Sequence, residues 1–224
     1  MDRDDVIDIT DFDVVAWLKT EMRMMLNEEI ARAVLVGDGR LSSAEDKINE
    51  ANIRPIWTDD DLYTIHSEVN VRTSDNASTK ASEFIDQVVR AMEDYDGSGN
   101  PTLFIAKDIL TACLLLKDEN GRRIYKDATE LATAMMVKEI VPVPVMKGLT
   151  RTDTSSNTYT LMGIVVNLVD YNIGADKGGS VNMFDDFDID YNAQKYLIET
   201  RCSGALIKPK SAIALEIKTA AAGG

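Results

Sequence analysis

Residues 11–39 read DFDVVAWLKTEMRMMLNEEIARAVLVGDG, and no other stretch constrains the fold as strongly. Val14, Leu18, Met22, Met25, Leu26, Ile30, Ala33 and Val34 recur at three- and four-residue intervals, the period that aligns side chains on one face of an α-helix. Asp13 has the short acceptor side chain of an N-cap, and Gly37-Asp38-Gly39 supplies the glycines at which helices stop. The pattern predicts a helix of about six turns, roughly 35 Å long at 1.5 Å per residue. Its apolar stripe needs something laid against it. Just upstream, Val6, Ile7, Ile9 and Phe12 alternate among aspartates as in a short strand.

Downstream, a short polar helix is expected from Ser42 or Ser43, where Glu45 or Asp46 completes a capping box. Between Pro55 and Val71, Trp57 and Tyr63 mix with Asp59, Asp60 and Asp61, which reads as an ordered connection. Ser78 or Thr79 opens a helix with a stripe at Ala81, Phe84, Ile85, Val88, Val89 and Met92. After the turn-rich break at 94–101 come a strand, Thr102 to Ile105, and a buried helix, Lys107 to Leu116. Asp118 to Gly121 is another turn, and Asp127 caps a helix through Leu131, Ala134, Met135 and Val137. Pro142 and Pro144 allow residues 139–145 to be an edge strand and not a central one.

The remainder is β-rich: Leu161 to Val169, Val181 to Phe184, Ala193 to Arg201, Ala205 to Ile207 and Ala212 to Ile217, with glycine-rich turns at 174–179 and a frayed tail at 220–224. A long helix, an α/β lobe at about 55–150 and a β-rich end make the expected class α+β. There is no internal repeat of fixed period, which excludes solenoids and propellers.

The 224 residues contain 45% hydrophobic and 28% charged residues, enough apolar material for a real core. Acidic residues number 38 against 24 basic, for a formal charge of -14, and the densest basic dipeptide is Arg122-Arg123. Such a surface repels phosphate, so sequence-specific nucleic-acid binding is not expected. Cys113 and Cys202 have no CxxC spacing and read as small core residues in a reducing compartment. The opening Met1 to Asp5 lacks the basic and apolar regions of a signal peptide, and no stretch approaches the roughly 20 apolar residues of a membrane span. A soluble chain is expected. The sequon Asn76-Ala77-Ser78 is then a chance match.

Chemistry-bearing patterns are scarce. His66 is the one histidine, too few for a zinc site or a paired general base. GxSxG, GxGxxG and GxxxxGK[ST] are all missing. Asp94, Asp96, Ser98 and Gly99 imitate the start of a calcium loop, but Ile105 stands where the bidentate Glu is required. Asp185, Asp186, Asp188 and Asp190 could hold a divalent ion, yet Phe184, Phe187, Ile189 and Tyr191 interleave with them as on a strand with a solvated acidic side. Met22 to Met25 could be a promiscuous binding surface, although methionine at helical spacing is more often core filling. No catalytic, cofactor-binding or metal-ligating residue is assigned. Binding or assembly becomes the leading class, with a metal-dependent hydrolase at Asp185–Asp190 as the enzymatic alternative.

Asp11 to Gly39 resembles the spine helix and closing turn of tailed-bacteriophage major capsid proteins of the Hong Kong 97 type. Phe184 to Gly204, with Leu206 and Ala212 to Ile217 following, is similar to that family's late strands, where an aromatic, an Arg (Arg201) and a Gly (Gly204) precede a closing apolar strand. The resemblance implies a P domain with a spine helix and long sheet, and an α/β A domain. It divides the chain into 1–54 (end of the E-loop strand and spine helix, P domain), 55–150 (A domain), 151–218 (returning P-domain strands) and 219–224 (disordered tail). It implies a structural subunit of a phage or prophage icosahedral capsid, made in the bacterial host cytoplasm and located in the virion. Copies would self-assemble into pentamers and hexamers around double-stranded DNA, with a scaffolding region or protein and a portal as partners, and with no cofactor and no membrane. The N-terminal arm and most of the E-loop that precede the spine helix in the family are missing, so Met1 is read as an abbreviated start and the chain alone is expected to assemble poorly. An encapsulin-like compartment shares the fold and is the alternative shell.

Overall fold

A 23-residue helix, α1 (Val14–Val36), forms where the three-to-four spacing predicts it. Leu18, Met22, Leu26 and Ile30 are half-buried and Ala33 to Val36 buried, whereas Met25, expected in the same stripe, is 63% exposed. The chain, described as a computed structural model, is placed over residues 14–40, 43–45, 47–72, 74–175 and 181–219. The expected strand at Val6 to Phe12, the Asp13 cap, Ser42, Asp46 and the 220–224 tail lie outside those residues.

The described residues fall into two compact units. The first joins the chain up to Pro55 with Ile173–Ala205. Here β7 (Asn182–Asp188) and β8 (Ala193–Glu199) form an antiparallel hairpin with Phe184 opposite Leu197 and Tyr196 opposite Asp185. The β8 strand lies against α1, and the Lys19 ammonium sits 5.8 Å from the centre of the Tyr196 ring. No helix starts at Ser43. Ile48 N–H and the Lys47 ammonium instead bind the Asp38 carboxylate, and that tie fixes the segment in an irregular path.

The second unit joins Ile56–Asn172 with the chain from Leu206 onward. Its sheet runs β1 (Thr64–Glu68), β10 (Ala212–Thr219), β5 (Thr158–Val166), β2 (Thr102–Ile105), β3 (Glu139–Pro142), with β4 (Thr150–Thr152) paired to β5. β1 is parallel to β10 and β3 to β2, while β5 is antiparallel to β10, β2 and β4. The two prolines keep β3 at the sheet edge, as expected. On one face, Leu103, Ile105, Val165, Ile213 and Leu215 meet Phe84, Ile85 and Val88 of α2 (Ala77–Ala91) and Leu131 and Met135 in and beside α4 (Ala128–Ala134). Helix α3 (Lys107–Leu114) adds Cys113 to the same core. A Cβ on Gly163 would come within 3.2 Å of the Phe84 ring, so this glycine lets the helix approach the sheet.

Several elements differ from the sequence-based expectation. Asn76, not Ser78 or Thr79, caps α2, its side-chain oxygen accepting Thr79 N–H at 2.8 Å. α4 keeps its predicted Asp127 cap but stops at Ala134, where Met136 takes a positive φ of 58°. β1 and β6 (Tyr171–Ala175), which pairs with β9 (Cys202–Leu206), were not expected. β5 and β10 hydrogen-bond into the sheet that contains β2 and β3, although the expected division at residue 150 grouped them with α1. The reason is legible in their composition: both are nearly continuous apolar runs, the mark of strands covered on both faces and therefore central to a layered lobe.

Candidate assembly surfaces

Asp38 anchors the end of α1. Its side chain is buried and accepts Ile48 N–H at 2.7 Å, Arg40 N–H at 3.0 Å and the Lys47 ammonium at 3.0 Å. Burial alone would raise its pKa, but the hydrogen bonds from Ile48, Lys47 and Arg40 outweigh it and hold the carboxyl below its ordinary value of 3.8. Arg40 also meets Glu29 at 2.6 Å. Gly37 and Gly39, at φ of +86° and +70°, make the reversal that brings Asp38 inward.

A second polar centre lies within the six-stranded unit. Glu216 of β10 is only 1% exposed, next to a register shift between Leu215 and Glu216. Arg151 of β4 donates to it through Nε at 2.6 Å and Nη2 at 2.7 Å, and Trp57 Nε1–H donates to Oε1 at 2.5 Å. His66 of β1 stands with Nδ1 3.5 Å from Oε2. Burial disfavours the Glu216 carboxylate, yet the facing His66, Arg151 and Trp57 overcome it and keep the group below its ordinary 4.5. The Arg151 guanidinium stacks 5.0 Å from the Tyr159 ring centre. This cluster ties β1, β4, β10 and the Trp57 loop together, and both Glu216 carboxylate oxygens accept from protein donors. Sequence reasoning missed it. The available signal was one acid inside the apolar run AIALEIKT.

The residues weighed for chemistry are placed apart or occupied. In β7, Asp185 and Asp186 project to opposite faces, as successive strand residues must, and Asp188 is salt-bridged to Lys195. In the 94–101 loop, Asp96 N–H donates to Lys210 O and Ser98 N–H to the buried Asp170 carboxylate at 2.6 Å, so the backbone binds protein acceptors. Burial pushes the neighbouring Tyr95 up to about 12, with Asp170 adding to the effect. Among the described residues no group of three His, Cys, Asp or Glu side chains is arranged to hold a metal ion, and no helix is long and apolar enough to cross a membrane. Cys113 is a buried core thiol pushed up to about 12 by burial, and Cys202 is half-buried.

Several large apolar side chains are nevertheless presented outward. On the β7–β8 hairpin, Phe184 and Leu197 face each other across the strands and are both more than half exposed, while Ile189 and Tyr191 at the turn are 83% and 78% exposed. On α1, Trp17, Met24 and Met25 are exposed. Exposed apolar side chains of this size, paired across strands and on a helix, are the kind of surface that contact with another protein covers.

The phage capsid family model matches residues 3–217, and the chain belongs to the phage capsid family. Among solved structures, the capsid of an empty GTA particle aligns over 96% of this chain and 69% of that one, with a TM-score of 0.65 at 18% identity. A Gordonia phage Cozz chain aligns over 97% and 67%, at 0.58 and 15%. The capsid of Myoviridae phage XM1 aligns over 98% and 70%, at 0.55 and 10%. At these identities the likeness is one of fold. No curated protein sequence matches the chain.

Proposed function

We propose that this chain is the shell-forming subunit of a tailed-phage capsid of the Hong Kong 97 type. In this reading α1 with the β7–β8 hairpin is the P domain, and the six-stranded unit, including β5 and β10, is the A domain. Copies associate as pentamers and hexamers that close around double-stranded DNA, with a scaffolding segment or protein and a portal completing the particle, and the subunit resides in the virion.

The observation that carries this reading is the set of exposed apolar side chains, with Phe184 and Leu197 paired across the hairpin strands, Ile189 and Tyr191 at its turn, and Trp17 on α1. Apolar side chains paired on an exposed strand face are the kind of surface that a protein partner covers. Each such contact is weak, and a closed array becomes stable through their number. The net charge of -14 suits a container wall that does not grip its genome.

Sedimentation velocity over a range of protein concentrations, with electron microscopy of the heavy fractions, tests the reading. Weak association that grows with concentration toward rings of five or six is expected, and a chain that stays monomeric at every concentration would count against it. In a mobility-shift assay with duplex DNA at about 0.15 M salt, no retained complex is expected.

A further inference from the structure

Residues 115–126 form a small hairpin that stands out in an acidic chain. Ile124 N–H donates to Leu116 O at 3.0 Å and Asp118 N–H to Arg122 O at 2.8 Å, which sets Lys117 directly opposite Arg123. Like charges at facing positions are unfavourable in an antiparallel pair. Of the turn's two acids, Asp118 directs its carboxylate at the backbone N–H groups of Asn120 and Arg122, and Glu119 is exposed at the tip, which leaves Lys117, Arg122, Arg123 and Lys126 in excess. Arg122 is exposed beside the pair, and Leu115 and Ile124 are each about half exposed next to it. A basic, partly apolar knob therefore holds two cations against each other with solvent on the outside.

The β7–β8 hairpin carries the complementary chemistry. Phe184 and Leu197 make an exposed apolar step, and the alternation of the strands puts Asp186, Asp188, Lys195 and Glu199 on that same face; Lys195 is salt-bridged to Asp188, which leaves the exposed Asp186 and Glu199 in excess. We propose that the 115–126 hairpin of one copy receives the Phe184–Leu197 face of a second copy. Leu115 and Ile124 lie against the apolar step, and Lys117, Arg122 and Arg123 against Asp186 and Glu199. The occupant is a second copy and not nucleic acid, because phosphate offers nothing to Leu115 and Ile124 and the chain as a whole repels it. The contact is heterologous, so it propagates from copy to copy and closes only when the rotation between them allows a ring. It rests on the shell reading for the presence of many copies and names the surfaces that such a shell would use.

Two charge-reversed chains test it: Arg122→Glu with Arg123→Glu, and Asp186→Lys with Glu199→Lys. By sedimentation velocity, each alone should self-associate at least about tenfold more weakly than the unaltered chain, because like charges now meet across the contact. An equimolar mixture should regain association, since each altered surface then finds an opposite charge, and the mixture also shows that both variants are folded. Retained self-association in either single variant, or no recovery in the mixture, overturns the contact. Shells still visible by electron microscopy in that case leave the shell reading standing. Loss of duplex-DNA retention by the Arg122/Arg123 variant with unchanged self-association would assign the knob to nucleic acid and overturn the proposal. An unaltered chain that never associates overturns both.

Discussion

Glu216 shows how a single buried charge can serve structure. Its carboxylate is held ionised inside the sheet by Arg151, Trp57 and His66, and removing it leaves Arg151 and the Trp57 N–H facing an empty pocket. Glu216→Ala should destabilise the protein by roughly 3 kcal/mol in urea unfolding, because breaking a buried pair strands its partner. Its folded-state pKa lies below the ordinary 4.5, so its contribution is complete above about pH 4.5 and is lost as pH falls through the lower folded value. Thermal unfolding between pH 7 and 3 should show that acid decline, flattened in Glu216→Gln. At Gly37, Ala would have to adopt φ near +86° with its Cβ 3.1 Å from Glu50 Oε1. Gly37→Ala should cost about 1–2 kcal/mol in the same assay.

At the scale of elements, α1, β2, β3 and α4 were legible because periodicity, a cap or a proline marks each one locally. β1 was not, since Thr64 to Glu68 reads as polar and becomes a strand only by pairing in parallel with β10, about 150 residues away in sequence. The grouping of β5 and β10 with β2 was also hidden from a reading in chain order, although their two-sided apolarity was present in the letters. The hairpin was foreseen as a strand–turn–strand junction with a solvated acidic side, and its strand alternation separates Asp185 from Asp186. Calorimetric titration with Mn²⁺ or Ca²⁺ should therefore give no saturable heat, and a stoichiometric site would contradict this placement. Within the second unit, Phe84 fills the space that Gly163 leaves, and Phe84→Ala should cost roughly 3–5 kcal/mol as a large cavity opens in the core.

For the whole molecule, the sequence reached the capsid resemblance through α1 and the late strands and showed the 118–121 turn with Arg122-Arg123, while the buried Glu216 cluster emerged only from residues brought together by folding. The buried carboxylates Asp38 and Glu216 are each paired within their own unit, and exposed aromatic and aliphatic side chains remain on α1 and the β7–β8 hairpin, the surfaces on which the proposed assembly draws. Native mass spectrometry of the purified chain over rising concentration tests this most directly. The account predicts rings of five and six subunits that appear with concentration and weaken when Phe184 and Leu197 are replaced by Ser. A spectrum of monomer alone at every concentration, or one indifferent to those replacements, would contradict it.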